Sequence, residues 1–152
     1  MAVDIKQAYR RIVEEAFGEG DLRVFDEVCD PSCRFHDPLA GDNDLDGAKA
    51  SCRMYREAFP DLKATLLGSY VDGVTVITHW RMSGTHRGAL MQLQPTGVHG
   101  TVEGIAIGKF RNGKLVEDWV QWDAMGLMRQ LGVGPSLVTA SSGARGDELR
   151  PH

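Results

Sequence analysis

Apolar residues between Val3 and Phe17 fall at Ile5, Ala8, Tyr9, Ile12, Val13, Ala16 and Phe17. That three-to-four spacing puts them on one face of a helix, which Gly18 and Gly20 end. Asp21 is placed to cap a second, short helix carrying Leu22, Val24, Phe25 and Val28, closed by Asp30-Pro31. A short strand is expected around Cys33-Arg34-Phe35-His36, followed by the loop DPLAGDNDLDG. Ala48 to Phe59 returns to helical spacing, with Ala48, Cys52, Tyr55 and Phe59 as its inner stripe and Pro60-Asp61 as its stop.

The pattern then changes period. Leu62 to Tyr70 reads as a strand, and Asp72-Gly73 signals a tight hairpin into VTVITHWRM. Thr101 to Phe110 reads as another strand, and Asn112-Gly113 turns it into Lys114 to Asp123. Met125 to Leu131 closes the pattern as a helical turn or two, with Gly132 past its end. Helices first and antiparallel strands afterwards predict an α+β fold. In it a curved antiparallel sheet packs against N-terminal helices and forms a cone with an internal pocket. Residues 1–133 form the single domain; residues 134–152, polar and rich in Gly and Ser, are expected to be a flexible tail.

Composition narrows the function classes. A net charge of -4 gives no electrostatic footprint for nucleic acid or an anionic membrane. No apolar run reaches the length of a membrane span, and the charged N-terminus lacks a signal-peptide core, so a cytoplasmic protein is expected. The cysteines number 3, which fits reduced thiols. The spacing of Cys29, Cys33 and His36 is incomplete for zinc, so no metal is expected. No phosphate-cradling glycine loop or G-x-S-x-G elbow occurs, and no cofactor is expected.

Strand parity suggests where a pocket lies. Along the last strand Leu115, Glu117, Trp119, Gln121 and Asp123 share one face; Val116, Asp118, Val120 and Trp122 share the other. In the preceding strand Gly104, Ala106 and Gly108 leave space on one side, for a ligand or for a packed aromatic such as Trp119. If that space and the Trp119, Gln121, Asp123 row share a cavity, its wall is apolar with a few polar tips, as small-molecule sites are. Trp80 then serves as core or pocket wall, with His79 and Arg81 outside. Phe35, Tyr55, Met54 and Met91 are further candidates for its lining.

FPDL (59–62), SGTHRG (83–88), PTG (95–97), NGKLVEDW (112–119) and WDAMGLMRQLG (122–132) occur in this order. As a set they resemble the SnoaL-like polyketide cyclase, or ester cyclase, family over nearly the whole chain to Val133. The resemblance implies a ketosteroid-isomerase-like cone, homodimers or larger assemblies through the outer sheet face, and a small hydrophobic polycyclic or polyketide-like substrate. It also implies intramolecular aldol ring closure without cofactor, with the aspartate before the last helix as general acid/base. Asp123 stands in that place. Aligned through NGK, a family histidine's place falls on Ala106 and a glutamine's on Gly104.

The expected catalytic set is therefore Asp123 as acid/base, with His36 and Gln121 as helpers. Burial beside Trp119 and Trp122 would raise the carboxyl's pKa toward neutrality. Asp123 could equally be the cap of the last helix. His36 could polarise a carbonyl with Asp37 orienting it, and Gln121 could donate to an oxyanion. Trp119, Trp80, Tyr55, Met54, Met91, Phe35, Ala106 and Gly104 are the expected substrate contacts. The leading expectation is a cofactor-independent cyclase or isomerase of secondary metabolism. An epoxide-opening or hydroxylation-associated enzyme, and a non-catalytic binding dimer, are the alternatives.

Overall fold

A computed structural model describes residues 3–133; the expected tail lies outside the described residues. Helix α1 (Ile5–Arg11) starts at Asp4, whose carboxylate accepts from Gln7 N at 3.2 Å. It runs on as a π-helical segment, Ile12–Phe17, and Gly20, at φ 80°, helps turn the chain into α2 (Arg23–Val28). Strand β1 (Cys29–Asp37) is longer than expected, because Asp30-Pro31 lies inside it. Its register slips between Cys29 and Arg34, and proline, which cannot donate to a ladder, is accommodated at such a bulge.

A further short strand, β2 (Gly41–Asn43), folds back on β1 from within the Asp-rich loop. Helix α3 (Leu45–Ala58) begins three residues before the apolar pattern does, because Asp44 caps it by accepting from Gly47 N at 2.8 Å. The remaining elements are β3 (Lys63–Asp72), β4 (Thr75–Thr85), β5 (His99–Arg111), β6 (Lys114–Trp122) and α4 (Ala124–Gln130). Asn112 and Gly113, at φ 51° and 76°, make the left-handed pair that a two-residue β5–β6 turn requires.

The six strands form one curved sheet in the order β2-β1-β6-β5-β4-β3. The architecture is α+β as expected, with one addition: β1 pairs with β6 in parallel, and every other pairing is antiparallel. The helices pack on the concave face, where Ile12, Val24, Phe25, Cys52, Val76 and Leu115 form the centre of the main core. Each fully buried Leu or Phe side chain there contributes about 1.5–3 kcal/mol. A second cluster, built on Phe59, Leu62, Leu90, Leu127 and Leu131, closes the end of the cone under α4.

The two rows of β6 are exchanged relative to the expectation. Gly104, Ala106 and Gly108 sit opposite Trp122, Val120 and Asp118 across the β5–β6 ladder, so those residues face inward. Trp119, Gln121 and Asp123 are exposed. Alternation could not decide between the rows, because each carries a tryptophan and an aspartate and the outer face is itself apolar, with Ile105 and Ile107 exposed beside Trp119.

Candidate active site

Between the helices and the concave face lies a cavity of about 130 Å³ with an almost wholly apolar wall. Aromatic side chains from every layer contribute, among them Phe35 from β1, Tyr55 from α3, Trp80 from β4 and Trp122 from β6. Its polar lining includes Asp118, Asp37, His36, Asn43, Ser51 and Ser83.

Asp118 is 3% exposed, a carboxyl buried in an apolar wall. The Tyr9 hydroxyl, from α1, donates to it, at 2.8 and 2.9 Å from its two oxygens. Burial pushes the Asp118 pKa up to about 7, with the neighbouring Asp37 adding to the rise. The Tyr9 hydrogen bond and the charge of His36 act in the opposite direction but do not win. Tyr9 is itself held well above the usual phenol range, by its own burial first and by Asp118 second. Near neutrality this pair therefore spends part of its time with two hydrogens between a phenol and a carboxylic acid. One hydrogen joins the two groups, and the second is free for an oxygen in the cavity.

Asp37 ends β1, half-buried, and lines the same cavity. All the donors it receives converge on Oδ1: Leu39 N at 2.8 Å, Ala40 N at 2.9 Å, Tyr55 Oη at 3.3 Å and Trp122 Nε1 at 3.4 Å. Oδ2 has no protein donor among the described residues, which leaves an oriented carboxylate oxygen to accept a proton. Tyr55 meets Trp122 edge to face, with ring centroids 6.0 Å apart, so the two groups that hold Asp37 also brace each other.

His36 is built in differently. Its Nδ1 lies 2.8 Å from Asp42 Oδ1, its Nε2 lies 2.8 Å from Glu117 Oε2, and its ring stacks on Trp119 at 5.7 Å. Asp42 first and Glu117 second raise its pKa. With both nitrogens committed to carboxylates, His36 has no lone pair for a substrate proton; its charge bears on Asp118 instead.

Asp123 caps α4, with Oδ1 accepting from Gly126 N at 2.8 Å. It lies with Gln121 on a shallow outer depression beside His79 and Glu103, not on the cavity lining. Trp119 stacks on His36 on the outside. Ala106 is fully buried, and Gly104 lies beneath Trp80, so neither lines the cavity. The space left by glycine on β5 is taken by aromatics, Trp80 over Gly104 and Tyr9 over Gly108. Phe35, Tyr55 and Trp80 do line the cavity; Met54 packs against the second cluster, and Met91 is exposed at a loop tip. His86 is buried against Phe59, its Nδ1 accepting from Thr96 N at 3.1 Å, and burial lowers its pKa. It fastens the 86–98 loop.

Tyr9, Asp118 and Trp122 lie outside the catalytic set that the sequence predicts, and Asp37 enters it only as a partner of His36. The acidic residue of the other parity row and the Asp-Pro end of β1 were the available signals.

Residues 7–131 match the SnoaL-like polyketide cyclase family. IdmH of Streptomyces antibioticus, a "putative polyketide cyclase", is 28% identical and superposes with a TM-score of 0.75 over 86% of this chain and 99% of its own. TsrD of Streptomyces laurentii is 27% identical, with a TM-score of 0.76 over 85% of this chain and 95% of its own. A protein of ketosteroid isomerase-like fold from Catenulispora acidiphila, 12% identical, shares the fold at a TM-score of 0.69 over 88% of this chain and 95% of its own. No curated protein matches the sequence. With the family matched across nearly the whole described cone, the chain belongs to the SnoaL-like polyketide cyclases.

Proposed function

We propose that this protein closes or rearranges a ring in a polyketide-like or other hydrophobic secondary metabolite, by aspartate acid/base catalysis and without a cofactor. The observation that carries this is the pairing, on one apolar cavity wall, of a buried Tyr9–Asp118 donor pair with the free Oδ2 of Asp37. A substrate carbonyl oxygen bound at Tyr9 and protonated Asp118 acidifies the adjacent C–H. Asp37 takes that proton, and the pair holds the enolate oxygen. The enolate carbon then attacks a second carbonyl of the same molecule. Asp37 returns its proton to the new alkoxide, so no electrons enter or leave.

Two carboxyls in different surroundings thus take different roles, one neutral donor and one base. Asp123, which holds the family's acid/base place, is exposed and occupied with α4, and this geometry favours Asp37 and Asp118 for the chemistry. IdmH, among the more similar solved proteins, bears a cyclase description, which supports the same reaction class.

The test is hydrogen–deuterium exchange at the α-carbon of cyclohexanone in D₂O, followed by NMR. The protein should accelerate exchange above buffer, and Asp37→Asn should abolish the acceleration. Acceleration that survives in Asp37→Asn overturns the assignment of the base.

The outer sheet face supports a second element of the proposal, association of two copies over Ile105, Ile107 and Trp119. Sedimentation of Ile107→Lys against the parent chain tests it: loss of a dimer is expected. Among the described residues no helix is long and apolar enough to cross a membrane.

A further inference from the structure

Trp80, Gly104 and Trp122 are direct cross-strand partners on β4, β5 and β6, and both tryptophans line the cavity. A Cβ placed on Gly104 would overlap Trp80 Cζ2, lie 2.8 Å from Trp80 Cε2 and lie 2.7 Å from Trp122 Cβ. The glycine therefore lets the Trp80 indole, and Trp122 at its Cβ, pack down onto the central strand. Any larger residue would drive the Trp80 ring into the cavity, since the sheet lies on its other side.

The space that remains is small. The cavity, open on one side, holds about 130 Å³. A dry apolar cavity of about 150 Å³ holds benzene, whereas sites for drug-sized ligands run to about 300–1,000 Å³. By that comparison the space below the mouth of the cavity matches one six-membered ring and falls short of three fused rings.

We propose that Gly104, acting through Trp80 and Trp122, sets the size class of the substrate at a single carbonyl-bearing ring or an open-chain segment of that bulk. This deepens the functional proposal above and rests on its placing of a carbonyl at Tyr9 and Asp118. The rest of a larger substrate stays outside the cavity, so the ring entering it is terminal and not the middle of a fused system. Gly104 is a positioning residue. It touches no substrate atom, and it also fixes Trp122, whose Nε1 donates to Asp37.

Calorimetric binding of two neutral ketones tests this. Cyclohexanone carries its carbonyl on an isolated ring; anthrone carries it on the middle of three fused rings and reaches Tyr9 and Asp118 only if all three enter. The wild-type chain should bind cyclohexanone at least tenfold more tightly than anthrone, against the usual gain of affinity with apolar size. Trp80→Ala should reverse that order. Gly104→Ala should weaken cyclohexanone at least tenfold, and the double variant Gly104→Ala with Trp80→Phe should restore it.

Anthrone binding as tight as cyclohexanone in the wild type overturns the proposal. So does an unchanged order in Trp80→Ala, or unchanged cyclohexanone affinity in a Gly104→Ala chain with native circular dichroism. If Gly104→Ala does not fold, the Trp80→Ala order decides alone. Because binding is read without turnover, loss of Asp37-dependent exchange with the size order intact would sink the reaction and spare the size rule.

Discussion

Asp118 and Asp123 sit at the middle and just beyond the end of β6, and they have opposite surroundings. Asp118 points into an apolar wall, takes a single phenolic partner and is pushed up to about 7. Asp123 points outward and accepts a backbone N–H at a helix start. The comparison sets a capping carboxyl left in water against one that burial perturbs: at Asp118 water is removed on every side without enough donors to replace it.

The largest expected difference is in rate. Asp118→Ala should lower catalysed α-proton exchange by about 10²–10³-fold, the usual cost of one oxyanion donor. Asp118→Asn keeps an N–H donor and should retain more activity while losing the alkaline limb. In the parent chain kcat/KM should fall as pH rises through about 7, because ionised Asp118 has no hydrogen to give. In Tyr9→Phe that limb should move upward, since the Tyr9 bond lowers the Asp118 pKa. A parent profile flat from pH 6 to 9 would refute the donor role.

Stability should show the same contrast. The folded pKa of Asp118 is raised, so its contribution is fully present below the unfolded pKa near 4 and is lost as pH rises to about 7. The loss is at most about 4 kcal/mol, for a carboxyl raised from near 4 to about 7. Urea unfolding at pH 4 and pH 8 should show the parent chain losing stability across that window and Asp118→Asn losing much less. Equal losses in the two chains would contradict a buried, protonated Asp118.

Asp123 should yield the smallest change. Asp123→Ala should cost about 1 kcal/mol, the ordinary price of a helix cap, measured by the same urea curves. Asp123→Asn, which still caps, should leave exchange within about twofold of the parent, because no cavity-facing group is lost. A collapse of exchange in Asp123→Asn would restore the family-position assignment and end the contrast drawn above.

Features written in local chemistry were legible in the sequence. The amphipathic face of α1, the Asn112-Gly113 turn and the Asp123 cap of α4 depend on residues a few positions apart. The inner row of β6 depends on pairing with β5 and on which face the helices cover. With Trp119, Ile105 and Ile107 making the outer face apolar too, hydrophobicity carried no sign of inside or outside. The Tyr9–Asp118 contact joins residues 109 positions apart and leaves no periodic trace. Strand β2 was hidden because an edge hairpin of Gly41, Asp42 and Asn43 has turn composition. Trp80 and Tyr55 line the cavity, a placement that a large aromatic on an inward position takes in almost any register.

The parallel pairing of β1 with β6 has a consequence for synthesis. Asp37, α3 and strands β3 to β5 leave the ribosome before Asp118 does, so the proposed base and most of the cavity wall are synthesised ahead of the proposed oxyanion site. Until β6 slides in beside β1, the buried phenol of Tyr9 has no acid to meet. A chain truncated before Lys114 lacks β6 and with it the Asp118 partner of Tyr9.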